Sequence, residues 1–182
     1  NRLRESNDSE YVVSIGNISR FKGAFEAVEH LVGCSVDLVL VGGGSESENQ
    51  SLVAFGRKQG VHVQILSNLD SVELATLMKR SIAVIGLANG EAFGLTPIES
   101  MALGVPPVFV EEGGYRDTIV DGVNGRLVAR GDLDGWSKAI MEARDPKTRS
   151  KWAESGLSRI EELGLTPENY TSQLDERIRS VI

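Results

Sequence analysis

The chain has a single cysteine, Cys34, in 182 residues. One thiol can form neither an internal disulfide nor a cysteine cluster for zinc, so an apolar core must carry the stability and a reducing, cytoplasmic setting is the simplest expectation. Cys34 itself reads as a small apolar packing residue. Histidine is nearly as rare. His30 and His62 are far apart, so no metal site is visible and both read as packing or surface residues. Positive charge is also short: 19 Lys and Arg face 26 Asp and Glu, giving a net charge of −7. That balance argues against nucleic acid as a partner and against a polybasic membrane patch, and any anionic ligand must be held by a few local groups. No apolar run approaches the roughly 18 residues that a membrane helix needs, and no signal-peptide pattern opens the sequence.

What is present suits one core. With 41% hydrophobic and 25% charged residues, a chain of this length has no room for two full domains. Residues 1–10 are polar and aperiodic and read as a linker, leaving 11–182 as one domain. Without an initiator methionine, the sequence reads as part of something longer. Short apolar runs at 11–16, 36–41, 61–66, 82–87, 105–110 and 125–128 have the character of strands. Helical periods alternate with them. The first starts near Lys22 or Gly23 with Phe25, Val28, Leu31 and Val32 inward; others cover 45–59, 72–80 with Leu74, Leu77 and Met78 inward, and 115–120. Leu133, Trp136, Ile140 and Ala143 share one face of a later helix, Trp152 and Leu157 belong to the next, and Tyr170, Leu174, Ile178 and Val181 line the last. The tryptophans read as core. This alternation predicts an α/β fold, a Rossmann-like doubly wound parallel sheet of about six strands.

The sequence is organised around residues 90–104. Thr96, Pro97 and Glu99 spell a helix start, with a capping hydroxyl, a proline at the first helical position and a glutamate reaching back to the cap; Gly104 is the stop. Gly90 and Gly94 let the backbone approach a ligand, and free N–H groups at the helix mouth attract a diphosphate. Glu91 and Glu99 would repel that phosphate, so they make sense facing neutral hydroxyls at either end of it. The plainer reading keeps Glu99 as a capping residue and Glu91 as a solvated loop charge. Two cations, Arg20 and Lys22, lie in the loop after the first strand, where open α/β sheets place ligands.

Glu91 through Glu99 resembles the E-x7-E motif of the retaining family 4 glycosyltransferases, which have two Rossmann-like halves in the GT-B architecture. Pro106-Pro107-Val108-Phe109-Val110 and the run from Gly113 to Gly125 are similar to that family's later strand and glycine-rich loop. The resemblance covers most of the chain in the right order. It implies the donor-binding half of a hexosyltransferase, with the acceptor half elsewhere in a longer protein, no metal and no cofactor beyond the nucleotide diphosphate sugar. Membrane contact, if any, would come through that other half. By the same resemblance Glu99 accepts from the ribose, Glu91 holds a donor-sugar hydroxyl, and Lys22, with Arg20, balances the departing diphosphate. Gly16, Asn17, Phe93, Gly94, Leu95, Gly113 and Gly114 complete the donor contacts, the Gly94 and Leu95 amides adding to the charge balance. Asn17 stands where the family has an arginine, and Leu87, Ala88 and Asn89 replace the family's proline and serine.

The segments 93–99 and 111–117 look similar to mannosyltransferases of polysaccharide assembly, which makes GDP-mannose the first donor expected. Three rivals remain. Gly42-x-Gly44 is part of a dinucleotide fingerprint and would suit an NAD-type oxidoreductase, although Ser47 occupies the third glycine's place. A flavodoxin-like regulatory domain would use the carboxylates only to cap and solvate. A sugar-nucleotide epimerase shares the GT-B fold.

Overall fold

The computed structural model describes residues 10–19 and 21–165. Most of the polar opening, Arg20 and the last helix expected around Tyr170, Leu174, Ile178 and Val181 lie outside the described residues. Glu10 already belongs to the fold: its carbonyl accepts from Asp37 N–H at 2.9 Å, and its carboxylate lies 2.8 Å from Arg144 Nε.

Strands and helices alternate as the periods predict: β1 Tyr11–Asn17, α1 Ala24–His30, β2 Asp37–Gly43, α2 Glu46–Gln59, β3 Val63–Leu66, α3 Ser71–Arg80, β4 Val84–Gly86, α4 Leu95–Ala102, β5 Pro107–Val110, α5 Tyr115–Thr118, β6 Arg126–Val128, α6 Leu133–Arg144 and α7 Pro146–Glu162. All strand pairs are parallel, in the order β3-β2-β1-β4-β5-β6. The chain winds outward from β1 to β3, then returns to the other side of β1 as β4. That reversal opens a crevice at the carboxyl ends of β1 and β4, where doubly wound sheets bind ligands.

The sheet is the core because its strands are apolar on both faces. Val12, Val13, Leu38, Leu40, Val84, Ile85, Val108 and Phe109 are all at most 1% exposed. Each such side chain contributes about 1.5–3 kcal/mol relative to an exposed one. Trp136 and Trp152 are buried as expected, their indole N–H groups donating to Ala129 O and Gly122 O at 3.3 Å. Cys34 is buried, and so is His30, which sits edge-on to Trp136.

Three apolar stripes fall differently from the periodic expectation. Helix α1 buries Ala24, Ala27, Val28 and Leu31, whereas Phe25 leans out against Phe55 of α2 at 5.4 Å and Val32 is 48% exposed beyond the helix end. Small residues let this helix lie close to the sheet. Leu133 is exposed at the first turn of α6, and Leu157 is exposed because α7 presents Trp152 and Gly156 inward. A Cβ on Gly156 would come within 2.9 Å of Met101 Cγ, so α7 meets α4 through a glycine.

Helix α4 also begins earlier than its sequence suggests. Gly94 is the N-cap at φ 81°, Leu95 is the first helical residue and Pro97 the third, with no side-chain cap. Thr96 is therefore not a cap, and Glu99 lies too far into the helix to close a capping box. Proline is tolerated here because the first-turn N–H groups have no intrahelical partner. Gly104 does stop the helix, at φ 68° with its N–H donating to Met101 O at 3.0 Å.

Candidate functional site

Among the described residues, six helices start at the carboxyl edge of the sheet, and their N-termini differ in kind. Three are closed by their own side chains: Ser45 and Glu48 form a capping box on α2, Asp70 and Glu73 another on α3, and Asp132 caps α6 by accepting from Gly135 N–H. The three that follow the central strands β1, β4 and β5 start from Gly23, Gly94 and Gly114, with no side-chain cap. Only α4 among these is a full two turns, so its Leu95 and Thr96 amides form the open anion-attracting end.

The glycines bring backbone to backbone around that end. In the β1–β2 register Gly16 pairs with Gly42 and Asn17 with Gly43, and a Cβ on Gly42 would stand 2.3 Å from Gly16 O. A Cβ on Gly23 would stand 2.7 Å from Leu87 O. Asn89 N–H donates to Phe21 O at 2.6 Å, tying the loop after β4 to the loop after β1.

Lys22 and Glu91 meet across these loops. Lys22 Nζ lies 3.5 Å from Glu91 Oε2, and the lysine stem packs over Gly16. Both belong to the wall of a narrow cavity of about 30 Å³ at the β1–β4 crevice, along with Ser14, Thr96, Phe109 and Tyr115. That space holds about one water. A larger ligand must therefore lie across its mouth.

The other expected residues fall around this pair. Glu99 does not line the cavity; it is exposed one turn along α4 from Thr96, on the same side of the helix. Gly94 is buried under the Tyr115 ring, Leu95 is 64% exposed and Phe93 is half-buried. Asn17 ends β1 exposed, its Oδ1 accepting from Ser19 Oγ at 3.1 Å. Gly113 and Gly114 press on the loop carrying Glu91: Gly114 N–H donates to Glu91 O at 2.8 Å, and a Cβ on either glycine would stand within 2.5 Å of that loop's backbone. The Gly114 amide thus holds the Glu91 main chain in place. Arg20 lies outside the described residues.

Two residues at the site have no sequence signature. The Tyr115 ring packs on Phe109 at 4.8 Å, and burial, with the Glu91 charge nearby, pushes its phenol up to about 12. Arg130, three quarters buried, gives a bidentate fork to Glu112 at 2.9 and 2.7 Å and also bonds Glu26 and Leu87 O. Its guanidinium holds the Glu112 carboxyl below the usual range, against a smaller burial effect. No cluster of three or more metal-ligating side chains occurs among the described residues. No helix among them is long and apolar enough to cross a membrane.

Residues 1–159 match the family described as glycosyl transferases group 1. The chain is 31% identical over 140 residues to the D-inositol 3-phosphate glycosyltransferase of Xylanimonas cellulosilytica, covering 73% of this chain and 33% of that protein. It thus spans about a third of the length of the curated relatives it matches. Among solved structures, Anabaena HepE in complex with UDP-glucose superposes with a TM-score of 0.81 at 22% identity, over 94% of this chain and 49% of that one. The C-terminal domain of a group 1 family glycosyl transferase, LpcC of Francisella tularensis, superposes with a TM-score of 0.68 at 24% identity, over 84% of this chain and 85% of that domain. These likenesses establish a GT-B type Rossmann-like fold.

Proposed function

The chain belongs to the glycosyl transferases group 1 family, and from that membership we propose that these residues form the donor-binding half of a retaining hexosyltransferase. The observation that carries this reading is the meeting of Lys22 and Glu91, from loops 69 positions apart, beside the uncapped end of α4. A diphosphate lying over Leu95 and Thr96 would receive their N–H groups and the Lys22 ammonium. As the bond from the sugar's anomeric carbon to the diphosphate oxygen breaks, negative charge grows on the leaving group, and donors fixed beforehand lower that barrier. Glu91 would accept from a sugar hydroxyl and Glu99, further along α4, from the ribose.

The dinucleotide reading loses its support at α2. Gly42, at the end of β2, presses against Gly16, and Gly44 against Glu48, and the helix end behind them is already closed by the Ser45–Glu48 box. A pyrophosphate there would displace a carboxylate.

For the donor, the resemblance to mannosyltransferases favours GDP-mannose, while the HepE neighbour was solved with UDP-glucose. A thermal-shift and calorimetric screen of GDP, UDP, GDP-mannose, UDP-glucose and NADH tests both, since a ligand that binds only the native state raises its stability. We expect binding by one nucleoside diphosphate and its sugar form, weakened about tenfold or more in Lys22→Met, in line with loss of a hydrogen bond from a charged group. Binding of NADH with no diphosphate response would overturn the assignment.

A further inference from the structure

Arg130 sits in the turn between β6 and α6, far in sequence from every residue of the crevice, yet its guanidinium reaches three of the segments that build it. Nε and one terminal nitrogen fork onto Glu112, in the loop after β5 that leads into Gly113 and Gly114. The other terminal nitrogen donates to Glu26 of α1 and, at 3.1 Å, to the carbonyl of Leu87, the residue that opens the loop carrying Glu91. The main chain of Arg130 is itself tied down: the His30 ring lies between Arg130 O and Glu26 O. Helix α1, the end of β4 and the glycine pair are thereby joined through one side chain.

We propose that Arg130 is the positioning residue for the Glu91 carboxylate, fixing both ends of the support on which that carboxylate stands. One end is the Leu87 carbonyl, held directly. The other is the Gly114 N–H, which holds Glu91 O at 2.8 Å and is set in place by Glu112. A planar fork suits this task because it fixes direction as well as charge. The hydrogen bonds of Arg130 go to both ends of this loop and to Glu26, four residues beyond Lys22, but to neither the Lys22 ammonium nor the α4 amides, so the inference, which rests on the donor-site reading, separates two parts of binding. The diphosphate should be held without Arg130, whereas the sugar should not.

The test uses Arg130→Met, Arg130→Lys and Glu112→Gln, the last leaving the guanidinium with its Glu26 partner. Hydrogen exchange reads positioning without any nucleotide. In Arg130→Met the amides of 89–94 and of Gly114 should exchange about tenfold faster or more, while those of β5 and α6 stay as in the parent. Glu112→Gln and Arg130→Lys should fall between. Calorimetry with GDP and UDP, bare and as GDP-mannose and UDP-glucose, reads the consequence: the bare diphosphate keeps its Kd within about twofold while the added affinity of the sugar is lost. Exchange that rises equally across the domain, or does not rise in the loop, overturns the inference, as does an equal loss for bare and sugar-bearing nucleotides. If the parent binds no nucleotide, the donor-site reading fails by itself, and the exchange measurement still decides what Arg130 does.

Discussion

At 3.5 Å, Lys22 and Glu91 form an ion pair at a site that has to accept an anion, and the two charges act on that anion in opposite directions. The lysine attracts a diphosphate; the carboxylate repels it and ties up the lysine. With both side chains partly solvated, the repulsion amounts to about 1 kcal/mol. Glu91→Gln should therefore bind bare GDP or UDP about fivefold tighter than the parent, while the advantage of the sugar form over the bare diphosphate disappears. Calorimetry of both forms checks this, and weaker binding of the bare diphosphate would show that Glu91 does not face the phosphate. The pair was legible in the sequence because both residues sit in loops that follow apolar runs. Tyr115 and Arg130 were not. Their partners lie across the fold, and nothing local distinguishes them from an ordinary aromatic or a surface cation.

Elements came through more faithfully than their edges. The six strands and the helices between them follow from period and β-branching, but α4 starts at Leu95 because Gly94 takes a left-handed turn beneath the Tyr115 ring, and no rule about capping hydroxyls contains that ring. The same kind of cross-element contact governs Gly114. A Cβ there would stand 2.4 Å from Ala92 O and from Phe93 Cα, so the loop carrying Glu91 must move or the glycine's own turn must. Gly114→Ala should cost about 1–3 kcal/mol in denaturant unfolding, as overpacking does, and lower the affinity for a nucleotide sugar. Gly131→Ala is the control, since its Cβ would meet nothing within 4 Å. Equal effects from the two substitutions would show that Gly114 acts only through chain flexibility.

Across the whole molecule, the strand order decides where chemistry can happen and how much of it these residues can perform. A parallel sheet was readable from the near-continuous apolar runs, and the doubly wound reading already carries the return of β4 to the free side of β1. That return makes the crevice, and the crevice is shallow: its enclosed space is about 30 Å³, with Phe21 74% and Leu95 64% exposed among the loops at this edge. A hexose lying across such a mouth stays open to water on its outer side, and among the described residues nothing in the crevice itself encloses an acceptor hydroxyl. Transfer depends on holding donor and acceptor together and on keeping water out, and the first alone supplies several powers of ten in rate. The matched relatives are about three times as long as the part this chain aligns with, which leaves ample protein to supply that enclosure. A polypeptide of these 182 residues should accordingly bind a nucleotide sugar yet transfer its sugar to any acceptor at least about a thousandfold more slowly than a full-length relative acting on its own donor. Radiolabelled donor and product chromatography would measure both rates, and transfer by the short chain at a comparable rate would mean that its exposed crevice suffices.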